Sequence, residues 1–590
     1  MPRRWKVNGS RIALKTVQVT KTNEVGIVLN NADFVSSIGA EIQGVEMSGF
    51  KCSTWLSSLC LLFAASAFGV QPSEVGAVAA GHPLAVNAGM NVLKRGGNAF
   101  DAAVAIAATL NVVEPMMSGV GGYGSIVIYN ANTRQVRYLN GAGKFPKATD
   151  TNFMRPPIEN YLGNRLGAKS VSVPGNVNSW YELHALGKLR WNSLFDDAIR
   201  HAEQGYEIST YAAGLIAGAF DQFPDYAKTI YGNHGKPLTS GEVLRQADLG
   251  RTLKSIAQYG PDAFYQGEIA AKIDRQMRVA GGFLSLEDLQ GDKAQWWDPS
   301  VISFKGHDVY TMGTPGNGFT SLFALGVMEH VDPGRADYGS ATSYHLLAEV
   351  LKKSVAVRLT TPGTPEAASR IHNEVLTAAN FRKVAASVDP ERSSPFLLNP
   401  GAEHENTTHF VVADRWGNVV SATQTLGNGF GSKILVEDTG IWLNNSMAFS
   451  TFEPKGNPMD PVAGQYKLSS NSPMIILKDG RPWAALGTPG GHTIPQNAAQ
   501  IALNLIDRNM PMQAAIDAPK IAYLEDKDVL RIESGIADVV VSELQRKGHR
   551  LVTGPIGNAM GIRFESGPGQ AIYDVGIDTR RDWHTAISYF

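Results

Sequence analysis

The stretch Asn406-Thr407-Thr408-His409-Phe410-Val411-Val412-Ala413-Asp414, continued by Arg415-Trp416-Gly417-Asn418 and Val419-Val420-Ser421-Ala422-Thr423-Gln424-Thr425, decides the fold. His409 to Ala413 and Val419 to Gln424 are short apolar runs rich in strand formers, with turn residues between them, so they read as paired strands. Ahead of them, residues 380–405 are rich in Ser, Pro, Asn and Glu and read as an exposed linker. Thr407 therefore stands where a linker enters a strand. A threonine hydroxyl is a poor nucleophile until a base takes its proton. An α-amine, with a pKa near ~8, can be that base only if the threonine begins a chain. Cleavage between Asn406 and Thr407 is thus a chemical requirement of such a mechanism, and a linker-to-strand junction is a place to cut without losing the fold. Taken alone, two strand formers and a histidine describe an ordinary strand opening equally well.

Working outward, Gly440 to Leu443, Pro473 to Leu477 and Pro482 to Leu486 read as further short strands, and Gln496 to Asp507 and Pro511 to Ala518 as helices. Upstream, Pro83 to Arg95 places Leu84, Ala88 and Val92 at helical spacing, and Gly96-Gly97 stops the run. Ala99 to Val113 is almost wholly small or apolar, which predicts a helix buried on all sides. Ser125 to Tyr129 and Gln135 to Leu139 read as a hairpin. Residues 176–380 are dominated by helical periodicity, as in Leu194 to Gln204, Ile269 to Ala280 and Ala341 to Leu359. A strand-rich block with helices on either side predicts stacked sheets under helical layers.

At 590 residues the chain is long enough for one large domain or two closely joined ones. A net charge of -1 gives no electrostatic reason to expect nucleic acid as a partner. The two cysteines, Cys52 and Cys60, lie at an apolar stretch, Trp55 to Val70, that follows Lys51 and contains Ala65-Ser66-Ala67. A basic residue, a short apolar run and a small-x-small site read as a secretory signal peptide over residues 47–67. The run is shorter than the roughly 20 residues of a membrane-spanning helix. Met47 is then a natural start, and residues 1–46 are an upstream extension. The expected product is exported, periplasmic or secreted, without a membrane span and without a cysteine for a disulfide or a thiol nucleophile. Three tempting patterns are set aside. Gly119 to Gly124 fits G-x-G-x-x-G, but a helix precedes it and a strand follows, the reverse of a dinucleotide site. Glu403, His404, Glu405 and His409 fit no zinc spacing, so neither metal nor cofactor is expected. No G-x-S-x-G elbow is present.

The run Thr407 to Thr425 resembles the start of the small subunit of γ-glutamyltranspeptidases. So do Gly440-Ile441-Trp442-Leu443-Asn444-Asn445-Ser446-Met447, Leu468-Ser469-Ser470-Asn471-Ser472-Pro473 and Gly487-Thr488-Pro489-Gly490-Gly491. Gly81-His82-Pro83-Leu84-Ala85 and Gly96-Gly97-Asn98-Ala99-Phe100-Asp101-Ala102-Ala103 look like the opening of that family's large subunit. Several separated motifs in the right order are far more specific than any one of them. The resemblance implies an α+β fold, an αββα sandwich of the N-terminal-nucleophile hydrolase type, built from two subunits cut from one precursor. The large subunit would be residues 68–406 and the small subunit residues 407–590. It further implies that Thr407 attacks an amide carbonyl, forms an acyl ester and releases an amine, after which water or a second amine takes the acyl group. Thr425 matches the threonine whose hydroxyl contacts the nucleophile, and the amides of Gly490 and Gly491 match the oxyanion hole.

The departures bear on substrate. Ala142 stands at the place of the family's carboxylate-binding arginine and Phe449 at that of the acidic residue for the α-amine. Ser446 replaces a glutamine and Gly427 an asparagine, whereas Ser469 and Ser470 are kept. A buried carboxylate without a cationic partner costs several kcal/mol, so recognition of a γ-glutamyl group is expected to be weakened. Lys144 is a candidate to hold a carboxylate elsewhere, with a solvated lysine as the plainer alternative. The stretch between Met447 and Leu468 is shorter than in lid-bearing relatives, and the pattern looks more like the family's cephalosporin-acylase-like or oxamate-amidohydrolase-like branches. The expectation is an acyl-amide hydrolase that favours water over an amine acceptor. The alternatives are a genuine γ-glutamyltransferase or glutathione hydrolase with a rearranged clamp, and a matured binding protein without catalysis. The last has no need of Thr407, Thr425, Gly490 and Gly491 together.

Overall fold

The computed structural model describes residues 71–155, 165–331, 336–361, 364–396, 406–450, 454–457, 460–466, 468–524, 528–566, 571–579 and 587–589. The expected extension over 1–46 and the expected signal peptide over 47–67 lie outside the described residues, as do Glu403, His404 and Glu405.

Among the described residues, fourteen strands form the centre. In chain order they are β1 (Gln71–Ser73), β2 (Gly76–Ala80), β3 (Tyr123–Asn130), β4 (Gln135–Gly141), β5 (Gln295–Trp297), β6 (Ser300–Phe304), β7 (His307–Thr311), β8 (Asn406–Asp414), β9 (Val419–Gly427), β10 (Met474–Lys478), β11 (Arg481–Gly487), β12 (Met560–Ser566), β13 (Ala571–Ile577) and β14 (Ile587–Tyr589). One sheet runs β14-β2-β8-β9-β3-β4-β5 and the other β1-β13-β12-β11-β10-β7-β6, with seven strands in each. The alternation of side chains along a strand divides β8 cleanly. Val411 and Ala413 pack between the sheets with Ala77, Val127, Ile475, Ala485 and Ile562. Phe410 and Val412 face the outer helices.

Those helices include α1 (Pro83–Lys94) and α2 (Ala99–Val113). His82 caps α1 by accepting the Leu84 amide at 3.2 Å, with Pro83 in the first turn, where a missing N–H costs nothing. Asn98 and Asp101 form a capping box on α2, every residue of which is buried, as its composition predicts. Against the outer face of the second sheet lie α3 (Phe319–Val331), α4 (Ala341–Thr360) and α5 (Ile494–Ile506), packed on Val309, Met474, Ile476 and Leu486. The αββα sandwich and the α+β class expected from the sequence are both present.

The register explains how a cut before Thr407 could leave the fold intact. Phe410 to Asp414 pair with Ala80 to Gly76 on one side, and Val419 to Thr425 pair with Tyr129 to Tyr123 on the other. The strands after residue 406 are thus held between strands from before it.

Two regions differ from their expected character. Residues 295–311 form β5, β6 and β7 inside a segment read as helical; β7 is hydrogen-bonded to β10 in the core of the second sheet. The helix Ala378–Ala385 runs into the expected linker, and among its described residues, 389–393 are attached to the body. The His345 and Asp389 backbone-carbonyl contact (2.8 Å), the Ser393 amide on the Lys547 carbonyl (2.8 Å) and the Lys547 ammonium on the Pro390 carbonyl (2.8 Å) fix residues 389–393. Most of residues 386–396 are exposed, as the composition predicts, while backbone groups of the segment hold it to the body.

Candidate active site

β8 does not pair evenly with β9. Asn406 lies opposite Gly427 and Thr408 opposite Gln424, so Thr425 and Leu426 together oppose Thr407 and the bulge falls on β9. A bulge re-aims a side chain and frees backbone groups from the ladder. Here it leaves the Asn406 carbonyl to the Thr425 hydroxyl, which donates to it at 2.6 Å. The Thr407 hydroxyl donates to Thr425 Oγ1 at 3.2 Å, and the Gly427 amide donates to the same oxygen at 2.8 Å. Thr425 thus touches both the hydroxyl and the carbonyl that a self-cleavage would join. Thr407 is 5% exposed and Thr425 3%.

The end of β9 is seated by the turn after α2. The Leu426 amide donates to the Met117 carbonyl at 2.9 Å and the Phe430 amide to the Met116 carbonyl at 3.0 Å. Glu114, in the same turn, is fully buried beside Thr408, on the face of β8 opposite Thr407; burial pushes its carboxyl up to about 8. Gly81 leaves the room for this contact, since a Cβ there would stand 2.9 Å from both Glu114 carboxylate oxygens and from Thr408 Oγ1.

His409 lies on the same face as Thr407. Its Nδ1 is 2.8 Å from Thr423 Oγ1, and burial pushes its pKa down to about 3, so the ring is neutral. It fills the space left by Gly487, where a Cβ would come within 2.2 Å of the ring. The Ser421 hydroxyl donates to the Leu486 carbonyl at 3.1 Å. These contacts join β8 and β9 to β11, whose end leads into Thr488-Pro489-Gly490-Gly491. Gly490 (φ 134°) and Gly491 (φ 56°) adopt backbone angles that favour glycine. They open the helical run Gly491–Thr493 and α5. The first amides of a helix have no acceptor within it and form a ready anion site.

Ser469 and Ser470 lie next to this turn: Ser470 Oγ is 3.2 Å from His492 Nδ1, and the Ser469 hydroxyl accepts the Asn471 amide at 3.2 Å. Ser446 is fully buried and its hydroxyl donates to Ser172 Oγ, which fixes the turn through Asn444. Phe449 ends the short helix Ser446–Phe449. Ala142 is buried, with its amide on Asn140 Oδ1 at 2.9 Å. Lys144 turns its ammonium over the Tyr466 ring, 4.9 Å from the centroid, and its charge acts on the buried Asp292. Two cations near this region drew no attention from sequence reasoning. Arg165 is buried and donates to the Ala448 carbonyl at 2.6 Å; Lys433 bonds the Gly429 carbonyl. Neither lies in a motif, so only the fold places them here.

His345, Glu349 and His549 are the one group among the described residues with metal-ligand types in mutual reach. Lys352 already neutralises Glu349 at 2.8 Å, and His345 Nδ1 is 2.8 Å from His549 Nε2. A dication would add charge with no counter-ion.

Two stacked antiparallel sheets between helical layers, with a buried threonine pair at one strand end, define an N-terminal-nucleophile hydrolase fold. The chain matches the gamma-glutamyltranspeptidase family over residues 85–588 and belongs to it. It is 32% identical to the glutathione hydrolase proenzyme of Bacillus subtilis (strain 168), over 87% of this chain and 93% of that protein. It is 34% identical to the acylase ACY 1 proenzyme of Pseudomonas sp. (strain SE83), over 81% and 88%. The crystal structure of cephalosporin acylase from Bacillus halodurans superposes with a TM-score of 0.79 at 26% identity, covering 93% of this chain and 99% of that one. The protein is accordingly a family enzyme of the amide-bond hydrolases made as proenzymes.

Proposed function

We propose that the chain cleaves itself between Asn406 and Thr407 and that the released threonine hydrolyses an acyl amide, with hydrolysis favoured over transfer. The observation that carries this reading is the Thr425 hydroxyl bridging the Thr407 hydroxyl and the Asn406 carbonyl. As Thr407 Oγ1 attacks the Asn406 carbonyl carbon, its proton passes to Thr425 Oγ1, while the Thr425 proton meets the negative charge growing on the carbonyl oxygen. Collapse breaks the Asn406–Thr407 C–N bond, the nitrogen takes up the proton, and an ester links the two residues. Water hydrolyses that ester, leaving a carboxylate on Asn406 and a free amine and hydroxyl on Thr407. The new α-amine then serves as base for the hydroxyl in turnover. The Gly490 and Gly491 amides are the donors for the substrate oxyanion, a role in which one lost donor costs about 2.7–4 kcal/mol.

The acyl end supports a simple acyl group over a γ-glutamyl zwitterion. Ala142 offers no cation, Ser446 is engaged by Ser172, and Lys144 is turned to Tyr466. The acylase relative is in keeping with this, while the glutathione hydrolase relatives keep γ-glutamyl transfer as the second reading. Intact mass of the purified protein should give two chains, the smaller beginning at Thr407, and Thr407→Ala should give one chain and no turnover. Activity surviving that change would sink the nucleophile assignment. A γ-glutamyl anilide that outruns simple acyl anilides would restore the second reading. Export by a signal peptide over 47–67 belongs to the same proposal. Among the described residues no helix is long and apolar enough to cross a membrane.

A further inference from the structure

Lys433 is an unusual lysine. Lysines normally extend their ammonium into water. This one sits at φ 63°, in the left-handed region, so that the chain turns back on itself. Its backbone amide donates to the Phe430 carbonyl at 3.1 Å, and its ammonium donates to the Gly429 carbonyl and lies 5.6 Å from the centroid of the Phe430 ring. No carboxylate among the described residues pairs with it. Burial pushes its pKa down to about 8, with no anion to offset the cost. A half-buried cation held only by a carbonyl and a ring face is a site waiting for an anion.

Its position says which anion. Gly429 lies against the side chain of Asn406: a Cβ on it would stand 3.3 Å from Asn406 Nδ2 and 3.6 Å from Cγ. Asn406 is the residue whose carbonyl Thr407 faces. From that carbonyl carbon through Cα and Cβ to Cγ, it is chemically a four-carbon acyl group ending in an amide. The uncut chain therefore displays where the far end of such an acyl group goes: beside Gly429, whose carbonyl holds the Lys433 ammonium.

We propose that Lys433 is a specificity-determining residue that receives a carboxylate at the far end of a four- or five-carbon acyl group bound on Thr407. The inference rests on Thr407 being the acyl acceptor. Lys433 then supplies the charge that Ala142 lacks, but farther along the acyl chain. The carboxylate replaces the Gly429 carbonyl as the ammonium's partner and forms a charge-assisted hydrogen bond in a partly water-excluded place. The amide carbon, the attack and the leaving amine are unchanged.

The test compares succinyl and glutaryl anilides with butyryl and valeryl anilides of the same lengths on the matured protein. Wild type should favour the acids, and Lys433→Met should lower the acid-to-neutral ratio of kcat/KM by roughly 10- to 100-fold, the scale of one hydrogen bond to a charged group. Lys433→Arg should keep most of the ratio, and thermal melts of both variants report whether the fold is retained. Glutarate binding by calorimetry gives a second measure that needs no turnover, and should weaken at least about 10-fold in Lys433→Met. A ratio unchanged within about 3-fold, or wild type that binds no glutarate, overturns the role of Lys433. Lysine-dependent glutarate binding without hydrolysis of any anilide leaves the lysine in place and refutes the hydrolase reading instead.

Discussion

Replacing Thr425 by valine removes one oxygen and keeps the shape of the side chain. That oxygen has three roles in the uncut chain: it donates to the Asn406 carbonyl at 2.6 Å, accepts from Thr407 at 3.2 Å and accepts the Gly427 amide at 2.8 Å. The first bond points at the atom where negative charge grows, so its loss should behave like the loss of an oxyanion donor, about 2.7–4 kcal/mol. That slows self-cleavage by roughly 10²- to 10³-fold. Loss of the third bond leaves a buried amide without its acceptor, worth about 1–3 kcal/mol of stability. The assay is intact mass against time on protein purified cold and then warmed, with the uncut fraction fitted to a single rate. Thr425→Ser restores the hydroxyl and should recover most of the rate. Maturation of Thr425→Val within about 3-fold of wild type, far less than one oxyanion donor is worth, would refute the relay.

Other residues give equally definite outcomes. Gly487→Ala drives a methyl to within 2.2 Å of the His409 ring, which Thr423 pins, so the melting midpoint should fall with an overpacking cost of about 1–3 kcal/mol; an unchanged midpoint would mean that the ring is free to move. Glu114, raised to about 8 in the folded chain from an ordinary 4.5, favours folding most at low pH, and that advantage is lost as pH rises from 4.5 to about 8. Glu114→Gln, which mimics the neutral acid, should therefore gain stability relative to wild type between pH 5 and 8, by up to roughly 3 kcal/mol at pH 7; a constant difference across that range would show the carboxyl to be ionised. His549 is pushed down to about 4 from 6.5, so its linkage has the opposite sense: stability is full above pH 6.5 and is lost as pH falls toward 4. Denaturant midpoints should fall over that window, and His549→Gln should flatten the curve; equal slopes in both proteins would remove His549 as the cause.

Much of this was legible in the sequence where one local rule decides one element. The uniform small, apolar run from Ala99 to Val113 could only be a buried helix, and the β-branched runs around Asp414 to Asn418 could only be paired strands. The strands at 295–311 were not legible because they are short, are embedded among helices, and are stabilised by pairing with β10, which lies more than 150 residues away. The anchoring of residues 389–393 was hidden for a related reason. Polar composition reports that a segment can bind water, and it reports equally that it can bind protein. At the candidate site, Thr407, Thr425, Gly490 and Gly491 could be singled out because each lies in a motif. Lys433 and Arg165 could not, because a lone cation acquires meaning only from what the fold sets beside it. Lys144, chosen from its place in a motif, points instead toward Tyr466.

The two halves of the site also differ in how freely they could change. The groups proposed to attack are built into the core: Thr407 and Thr425 sit on neighbouring strands, His409 fills the hollow at Gly487, and the glycine turn opens a helix packed under the second sheet. Altering any of these disturbs packing on both sheets, so such changes carry a stability cost as well as a catalytic one. The proposed acyl end is built from element ends and a turn: the exit of β4 at Ala142, the short helix Ser446–Phe449 and the turn 427–434. An alanine at 142 and a lysine at 433 leave the threonine pair undisturbed, so the proposed attack is compatible with a different acyl group without rebuilding the groups that would perform it.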